Sequence, residues 1–180
     1  YLPSNFDIQE KDICMLDLYL MRHAKSSWSN AEASDRERVL NSRGQKDAPR
    51  MGEFLSRHFP AISPYVSPAL RAQLTWAGIC STWPALASLE YHIEESIYTF
   101  SSQDLISWLK KKEGDKPIFL IGHNPALTEL INYLTQSNSI SNLPTAGFAY
   151  LTLSLYEWPG IEAGGGKLEK LVLPRDLSEL

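Results

Sequence analysis

The stretch that decides the fold is LYLMRHAKSSW at residues 18–28. It continues a short apolar run, Leu16 to Met21, that stops at Arg22, which is typical of a strand buried in a parallel sheet. A polar loop follows, from Ala24 to about Val39. We therefore predict a buried strand whose carboxyl end presents Arg22 and His23.

A second strand and helix follow the same plan. Tyr65 and Val66 form a brief strand that runs into Ser67-Pro68. Serine is a common helix cap and proline is common in the first helical turn, so a helix is predicted from this point to about Ser81. Arg71 then lies in the first turn of that helix.

A third unit begins at Pro117 to Ile121 (PIFLI), another short apolar run that predicts a buried strand. His123 follows almost at once. Asn124 is predicted to cap the next helix and Pro125 to occupy its first position, with the helix continuing to about Leu134. A histidine therefore lies between a strand and a helix N-terminus.

The remaining pattern completes an α/β fold. Apolar spacing and breaker residues predict further elements at 41–59 (helix), 89–93 (a weaker strand), 103–111 (helix) and 148–156 with 167–173 (a closing strand pair). Strands that alternate with helices imply a three-layer αβα sandwich with a mostly parallel central sheet, closed here by an antiparallel strand pair. In such sheets ligands collect beyond the carboxyl ends of the strands.

Length and composition fit one soluble globular domain. The chain has 180 residues, of which 43% are hydrophobic and 21% charged, and this length buries a sizeable core without disulfides or metals. Residues 15–180 are predicted to form the single domain. Residues 1–14 lack this patterning and are interpreted as an appendage or a remnant of recombinant design.

Charge and cysteine content exclude several classes of partner. A formal net charge of -4 lacks the basic footprint of a general nucleic-acid binder, so no nucleic acid is expected. No apolar run approaches the roughly 20 residues of a membrane helix, so no membrane partner is expected either. Cys14 and Cys80 neither staple a core nor complete a zinc site, and reduced thiols favour a cytoplasmic location.

Four side chains are expected to converge on the carboxyl edge of the sheet: Arg22, His23, Arg71 and His123. Helix N-termini offer free amides and positive potential, and arginine offers a fork that matches phosphate oxygens. Carboxylate also fits such a pocket, but two arginines and a second histidine are more positive charge than one carboxylate needs. The pattern therefore favours a phosphate-binding site.

A histidine inside a phosphate pocket can attack phosphorus through a ring nitrogen and form a phosphohistidine intermediate. His23 is the candidate nucleophile, and a backbone acceptor on its other nitrogen would fix its tautomer. Arg22, Arg71 and His123 are then expected to bind the phosphoryl oxygens as charge develops on them. His58 and His92 have no motif around them and are interpreted as structural or exposed.

Three separated blocks carry a resemblance to a known family: LYLMRHAKSSW (18–28), VSPALRAQLT (66–75) and IGHNPALTELINYL (121–134). In this order and spacing they resemble the histidine phosphatase superfamily, most closely its small SixA-like phosphohistidine phosphatases. The resemblance covers about residues 16–173 and includes RVLNSRGQKDA (38–48) and PTAG (144–147). It implies a phosphoglycerate-mutase-like fold, His23 as the phosphorylated nucleophile, a pocket completed by Arg22, Arg71 and His123, and neither metal nor cofactor.

The sequence departs from the family pattern at two points. Ala24 stands where many members have glycine, and alanine is small enough to be tolerated there. Larger members place an acidic proton donor in an inserted region that this chain lacks, and Glu94 and Glu95 are the nearest candidates, with Glu95 preferred. A phosphohistidine substrate needs such an acid less, because its imidazole leaves as a neutral group if the ring is already protonated.

The resulting hypothesis is a metal-independent phosphatase that hydrolyses phosphohistidine on a protein. A phosphatase of small phosphomonoesters is the alternative within enzymes, so the partner is a phosphorylated protein or a small phosphorylated substrate. From another class, the chain could be a phosphate-binding module without turnover. Two histidines in the pocket argue against a mere binder, which needs no nucleophile.

Overall fold

A six-stranded sheet forms the middle layer of the computed structural model, which describes residues 15–138 and 140–177. The strands are β1 (Met15–Arg22), β2 (Pro64–Val66), β3 (His92–Ile93), β4 (Ile118–Gly122), β5 (Phe148–Ser154) and β6 (Gly166–Val172). Their order is β3-β2-β4-β1-β5-β6. The first four are parallel, whereas β5 pairs antiparallel with both β1 and β6. The predicted sheet with its closing antiparallel pair is confirmed.

Helices cover both faces of this sheet. They are α1 (Ser42–His58), α2 (Leu70–Cys80), α3 (Pro84–Ala87), α4 (Ser102–Leu109) and α5 (Ala126–Thr135). Short 3-10 helices occur at Asp35–Glu37, Glu95–Ile97, Trp158–Gly160 and Pro174–Leu177. One core cluster includes residues of α1 and α2, and the other includes residues of α4 and α5. The three-layer αβα prediction is therefore confirmed.

The side chains of β1 show why this strand lies inside the sheet. Successive residues of a strand point to opposite faces. Leu18 and Leu20 belong to the core cluster under α4 and α5, whereas Tyr19 and Met21 belong to the cluster under α1 and α2. All four are buried. A strand that is apolar on both faces is stable only between two helical layers, and its polar end is therefore placed at the sheet edge.

Two helix starts differ from the sequence prediction. The helix after β2 begins at Leu70 with Ala69 in the cap position, because the Ser67 hydroxyl accepts the N–H of Ala69 and forms a turn instead of a cap. The helix after β4 begins at Ala126 with Pro125 in the cap position, one residue later than predicted. Asn124 still acts at this end, because its Oδ1 accepts the N–H of Thr128.

Other predictions need smaller adjustments. The weak strand at 89–93 shrinks to His92–Ile93, an exposed edge strand, because Leu89 closes a turn after α3 by donating its N–H to Leu86. The interpretation of residues 1–14 as an appendage lies outside the described residues. Among the helices that the structure does describe, none combines the length and apolar character needed to cross a bilayer.

Gly44 fixes the N-terminus of α1 against the loop that follows β1. A Cβ built on Gly44 would lie 2.2 Å from the carbonyl oxygen of Lys25, so only glycine allows this approach. Asn41 caps the same helix by accepting the N–H of Gly44 at 2.9 Å. Lys25 also accepts the N–H of Asn41 at 2.9 Å. The segment two residues beyond His23 is thereby anchored to a helix.

Candidate active site

Arg71 lies between the two histidines that the sequence singled out. Its Nε is 3.3 Å from Nε2 of His23, and its Nη2 is 3.4 Å from Nδ1 of His123. The centroids of the two imidazole rings are 5.2 Å apart. Residues separated by 48 and 52 positions thus meet at the carboxyl ends of β1, β2 and β4. The predicted convergence of these three side chains is what the structure shows.

His23 is held in one tautomer by the backbone. Its Nδ1 lies 2.8 Å from the carbonyl oxygen of Ala24, which can only accept, so Nδ1 carries the ring proton. The lone pair is then on Nε2, which faces Arg71. Thr75 fixes the same segment, because its Oγ1 accepts the N–H of Ala24 at 2.8 Å and donates to the carbonyl of Arg71 at 2.7 Å.

His23 is also neutral. Burial is the main cause that lowers the pKa of His23 to about 3, and the charges of Arg71, Arg22 and Arg38 act in the same direction against an opposing hydrogen bond to Ala24. The imidazole therefore keeps its lone pair at neutral pH. The side chain is not sealed, since 8% of its surface is exposed. A neutral, oriented imidazole beside an arginine is suited to nucleophilic attack on an anionic group.

His123 follows β4 and is tied to the end of β2. The Ser67 hydroxyl accepts the N–H of Ala69 at 3.3 Å and lies 2.7 Å from Nε2 of His123. Arginine can only donate, so Nδ1 of His123 accepts from Nη2 of Arg71, and the ring proton lies on Nε2, which donates to the Ser67 hydroxyl. Burial lowers the pKa of His123 to about 3, helped by His23 and Arg71.

Arg22 lies at the end of β1, and its guanidinium contacts the segment that precedes β5. Its Nη1 donates to the carbonyl oxygen of Leu143 at 2.8 Å and approaches Oδ1 of Asn142 at 3.4 Å. Its Nε is buried and has no hydrogen-bond partner. Burial lowers the pKa of Arg22 from its usual value. A buried donor without an acceptor is costly, so this guanidinium is prepared for an anion more than for packing.

Sequence reasoning missed the residues that hold Arg71. They lie in the loop after β1 and beside the 3-10 helix Glu95–Ile97. Asp35 is the main one: its Oδ2 accepts from Nη2 of Arg71 at 2.9 Å and from the Tyr98 hydroxyl at 2.7 Å, and its Oδ1 accepts from Arg38 at 3.0 Å. The only local signal was Ser34 three residues before Glu37, a capping box that marks the 3-10 helix carrying Asp35.

The loop serines hydrogen-bond within the protein. Ser26 is buried and accepts a short hydrogen bond from Arg38, while Ser27 and Ser29 contact each other at 2.7 Å. Asn30 accepts the N–H of Glu32. These contacts shape the loop, and Arg38 also stacks on the ring of Trp28 with 3.3 Å between its Cζ and the ring centroid.

The candidate acids do not join the four residues. Glu95 pairs with Arg36 at 2.8 Å and its side chain is 70% exposed. Glu94 accepts the N–H of Ser96 at the start of a 3-10 helix. Within the described residues, no hydrogen bond, ion pair or ring contact connects either carboxylate to His23 or His123. The proposal that Glu95 donates a proton therefore gains no support from the geometry.

The ligand chemistry of the site is anionic. Within residues 15–138 and 140–177, no group of three or more histidine, cysteine, aspartate or glutamate side chains is arranged to hold a metal ion. The site instead combines two guanidiniums with two neutral imidazoles near the N-terminus of α2. Such a set can bind a tetrahedral oxyanion on three sides and present a nitrogen lone pair to its centre.

Part of this chain resembles a known protein family. Residues 18–98 match the sequence profile of the histidine phosphatase superfamily (branch 1). An uncharacterised chloroplastic protein of Arabidopsis thaliana is 29% identical over 173 residues, which cover 87% of this chain and 77% of that protein. The matched profile spans His23 and Arg71, and His123 lies beyond its end.

Solved structures match over most of the chain. SixA protein histidine phosphatase in complex with tungstate has a TM-score of 0.73 and 21% identity, covering 91% of this chain and 100% of that one. A protein assigned as the phosphohistidine phosphatase SixA of Agrobacterium tumefaciens has a TM-score of 0.72 and 22% identity, covering 88% and 98%. A phosphoglycerate mutase of Bacillus anthracis has a TM-score of 0.70 and 13% identity, covering 93% and 97%. Residues 18–98 are therefore similar to the histidine phosphatase superfamily, and the chain shares the fold of the SixA structures.

Proposed function

We propose that this protein is a metal-independent phosphatase that hydrolyses phosphohistidine on a protein partner through phospho-His23. The observation that carries the proposal is Arg71, whose Nε and Nη2 face the two imidazoles at 3.3 and 3.4 Å. The match of residues 18–98 to the histidine phosphatase superfamily supports phosphatase activity in general.

The first step transfers the phosphoryl group to His23. The Nε2 lone pair attacks phosphorus, the new N–P bond forms, and the P–N bond to the substrate imidazole breaks with its electron pair on the leaving nitrogen. The equatorial oxygens carry the developing charge, and Arg22, Arg71 and His123 are positioned to bind them. The Nδ1–H bond to Ala24 orients His23 and stabilises positive charge on its ring.

The second step is hydrolysis of phospho-His23. Water attacks phosphorus, the N–P bond breaks, and its electron pair returns to Nε2, releasing inorganic phosphate. The same arginines and His123 bind the oxyanion again, because both steps pass through the same charge distribution. The low pKa of His23 makes the neutral imidazole a good leaving group here.

The surroundings favour a phosphoramidate over an alkyl ester. An alkoxide leaving group needs a proton from a nearby acid, whereas a substrate imidazole that is already protonated leaves as a neutral molecule. Glu94 and Glu95 are both engaged elsewhere. Asp35 is ionised, because hydrogen bonds from Tyr98, Arg71 and Arg38 outweigh burial and hold its pKa at about 2. A site without a protonated carboxyl suits phosphohistidine.

Two exposed aromatic rings beside the site support a protein partner. Trp28 is 75% exposed and stacks on Arg38, which contacts Asp35. Phe100 is 49% exposed, and its ring centroid is 5.6 Å from that of His123. Exposed aromatic side chains next to a functional site are typical of surfaces that contact macromolecules. A small metabolite needs an enclosing pocket more than exposed rings.

The decisive experiment is labelling with a phosphoramidate. We expect the wild-type protein to acquire phosphate in an acid-labile, base-stable linkage, and the His23→Ala variant to acquire none. A chelator should leave the labelling unchanged. Absence of label on the wild-type protein, with tungstate still bound, would assign the chain to the phosphate-binding modules.

Substrate class is tested by a rate comparison on one preparation. Phosphohistidine in a protein should be hydrolysed faster than phosphoserine, phosphotyrosine or sugar phosphates. If a sugar phosphate or another small phosphomonoester is preferred by kcat/KM, the alternative phosphatase of small phosphomonoesters replaces the present proposal. Phosphate release reports the rate in every case.

A further inference from the structure

Arg71 presents two different edges of its guanidinium to two different groups. The edge formed by Nε and Nη2 faces Nε2 of His23 and Nδ1 of His123, at 3.3 and 3.4 Å. The edge formed by Nη1 and Nη2 is held by Asp35. Its backbone carbonyl accepts from Nη1 at 2.5 Å and its Oδ2 accepts from Nη2 at 2.9 Å.

Asp35 is itself fixed from two directions. The Tyr98 hydroxyl donates to Oδ2 at 2.7 Å, and Nη1 of Arg38 donates to Oδ1 at 3.0 Å. Arg38 is immobilised in turn by a hydrogen bond to the carbonyl of Ser27 and by stacking on Trp28. Both oxygens of the carboxylate therefore have defined donors, and the side chain cannot rotate without breaking them.

The two edges of the Arg71 guanidinium have different roles: one is bound by Asp35, and the other faces the imidazoles. A guanidinium is planar, so a bidentate acceptor on one edge fixes the direction of the other edge. Arg71 is buried, and its side chain has four torsions that Asp35 restricts at their far end. The edge formed by Nε and Nη2, which faces the two imidazoles, is the one that a phosphoryl group between them would use. Asp35 contacts neither histidine through a hydrogen bond or ion pair.

We propose that Asp35 is a positioning residue that grips one edge of Arg71 and thereby aims the other edge at an oxyanion bound between His23 and His123. The proposal rests on the proposed function for its catalytic meaning, but it concerns oxyanion binding in the first place. An ionised carboxylate near a phosphate also repels it. Solvent screens this repulsion, because the Asp35 side chain is 43% exposed. We therefore expect the oriented contact between Arg71 and the oxyanion to add more binding free energy than the repulsion removes.

Two substitutions distinguish orientation from charge. Asp35→Asn and Asp35→Ala both remove the negative charge, but only asparagine retains an oxygen that accepts from Nη2 of Arg71. The probe is tungstate, a tetrahedral oxyanion that cannot be hydrolysed, titrated calorimetrically at fixed ionic strength. We expect Asp35→Asn to bind tungstate at least as tightly as wild type, and Asp35→Ala to bind it about 10-fold more weakly than Asp35→Asn.

A double-mutant cycle shows whether Asp35 acts through Arg71. In an Arg71→Ala background the difference between Asp35→Asn and Asp35→Ala should fall below about twofold, since no guanidinium remains to be aimed. Tyr98→Phe, which removes one donor to Oδ2, should weaken binding by about two- to fivefold. Glu32→Gln makes the same charge change at an exposed position of the same loop and should stay within about twofold of wild type.

Three results would overturn the proposal: equal Kd values for the alanine and asparagine variants, tighter binding by the alanine variant, or a difference that persists without Arg71. In the phosphatase assay, kcat of the Asp35→Ala variant should fall by a larger factor than its KM changes. Its circular dichroism spectrum should be the same as that of the wild-type protein. If the wild-type protein binds tungstate with the expected pattern but never forms phospho-His23, the proposed function fails and the role of Asp35 stands. If phospho-His23 forms but the Asp35 variants do not differ in tungstate affinity as expected, the proposed function stands and the role of Asp35 fails.

Discussion

His23 and His123 lie at the carboxyl ends of β1 and β4, whereas His58 ends α1 and His92 lies on the edge strand β3. The first two are 8% and 1% exposed, and both contact Arg71. The other two are exposed: His58 bonds to a carbonyl of its own helix, and the ring of His92 contacts an aromatic neighbour. The comparison shows that position at a strand end, and not residue type, gives an imidazole its chemistry.

The physical cause of the difference is shared burial with arginine. Removing an imidazole from water disfavours its charged form, and neighbouring guanidiniums disfavour it further, so both site histidines are neutral with pKa values of about 3. Parallel strands deliver this arrangement because their carboxyl ends all point to one edge. The following experiments test the contrast between the two pairs of histidines and their charged neighbours.

The largest effect is expected at the nucleophile. His23→Ala should lower phosphohistidine hydrolysis by at least about 10⁴-fold, because the nitrogen that attacks phosphorus is removed. His58→Ala should stay within about twofold of wild type. Phosphate release under saturating substrate measures both. Comparable losses of hydrolysis rate in His23→Ala and His58→Ala would contradict the assignment of His23 as the nucleophile.

The second-largest effect on activity is expected at Arg71, and Arg57 is its matched control. Arg71→Ala should reduce kcat/KM by about 10²- to 10³-fold, because a buried donor to the developing charge is lost. Arg57 makes an exposed pair with Glu53 at 2.6 Å, four residues away on α1. Arg57→Ala should change kcat/KM by less than about twofold. A small effect at Arg71 would contradict its contact with the oxyanion.

Stability should depend on pH through His23. The unfolded chain binds a proton at this residue below pH 6.5, but the folded protein binds it only near pH 3, so the stability is complete above pH 6.5 and is lost as the pH falls. Between pH 7 and pH 5 this one group should cost about 2 kcal/mol of unfolding free energy. His23→Asn should lose that share of the pH dependence. Urea unfolding at both pH values gives the comparison, and an unchanged slope in the variant would refute it.

The smallest effect is expected at Glu95. Its carboxylate pairs with Arg36 on the surface, and both side chains are largely exposed. Glu95→Gln should keep the hydrolysis rate within about twofold and leave its pH profile unchanged, because an exposed pair contributes little. A loss of 100-fold confined to substrates with alkoxide leaving groups would reinstate Glu95 as a proton donor. Parallel assays with phosphohistidine and a phosphomonoester separate the two cases.

Much of the site could be read from the sequence because its parts follow strands. Arg22, His23 and His123 come at the ends of apolar runs, and the edge of a parallel sheet brings such positions together. Arg71 was placed correctly in the first turn of α2, although Ser67 does not cap that helix. A serine before a helix reads as a cap, yet its hydroxyl serves a turn and His123.

Asp35 could not be found in this way. It lies in a loop whose residues have no periodicity, and its partners Arg71 and Tyr98 are 36 and 63 positions away. The functional reading of Glu95 failed to gain support for the same reason, since proximity of a carboxylate to a site depends on loop paths. Local patterns carry no information about which distant groups a loop side chain meets.

By itself the sequence determined the layered fold and the candidate nucleophile, because hydrophobic periodicity fixes which residues are buried and strand ends fix where polar residues gather. Only the tertiary structure decided which edge of Arg71 faces the imidazoles, which nitrogen of His23 holds the lone pair, and which carboxylate holds the guanidinium. Those features depend on hydrogen bonds between residues far apart in the chain, and such bonds form only after the strands and helices have packed.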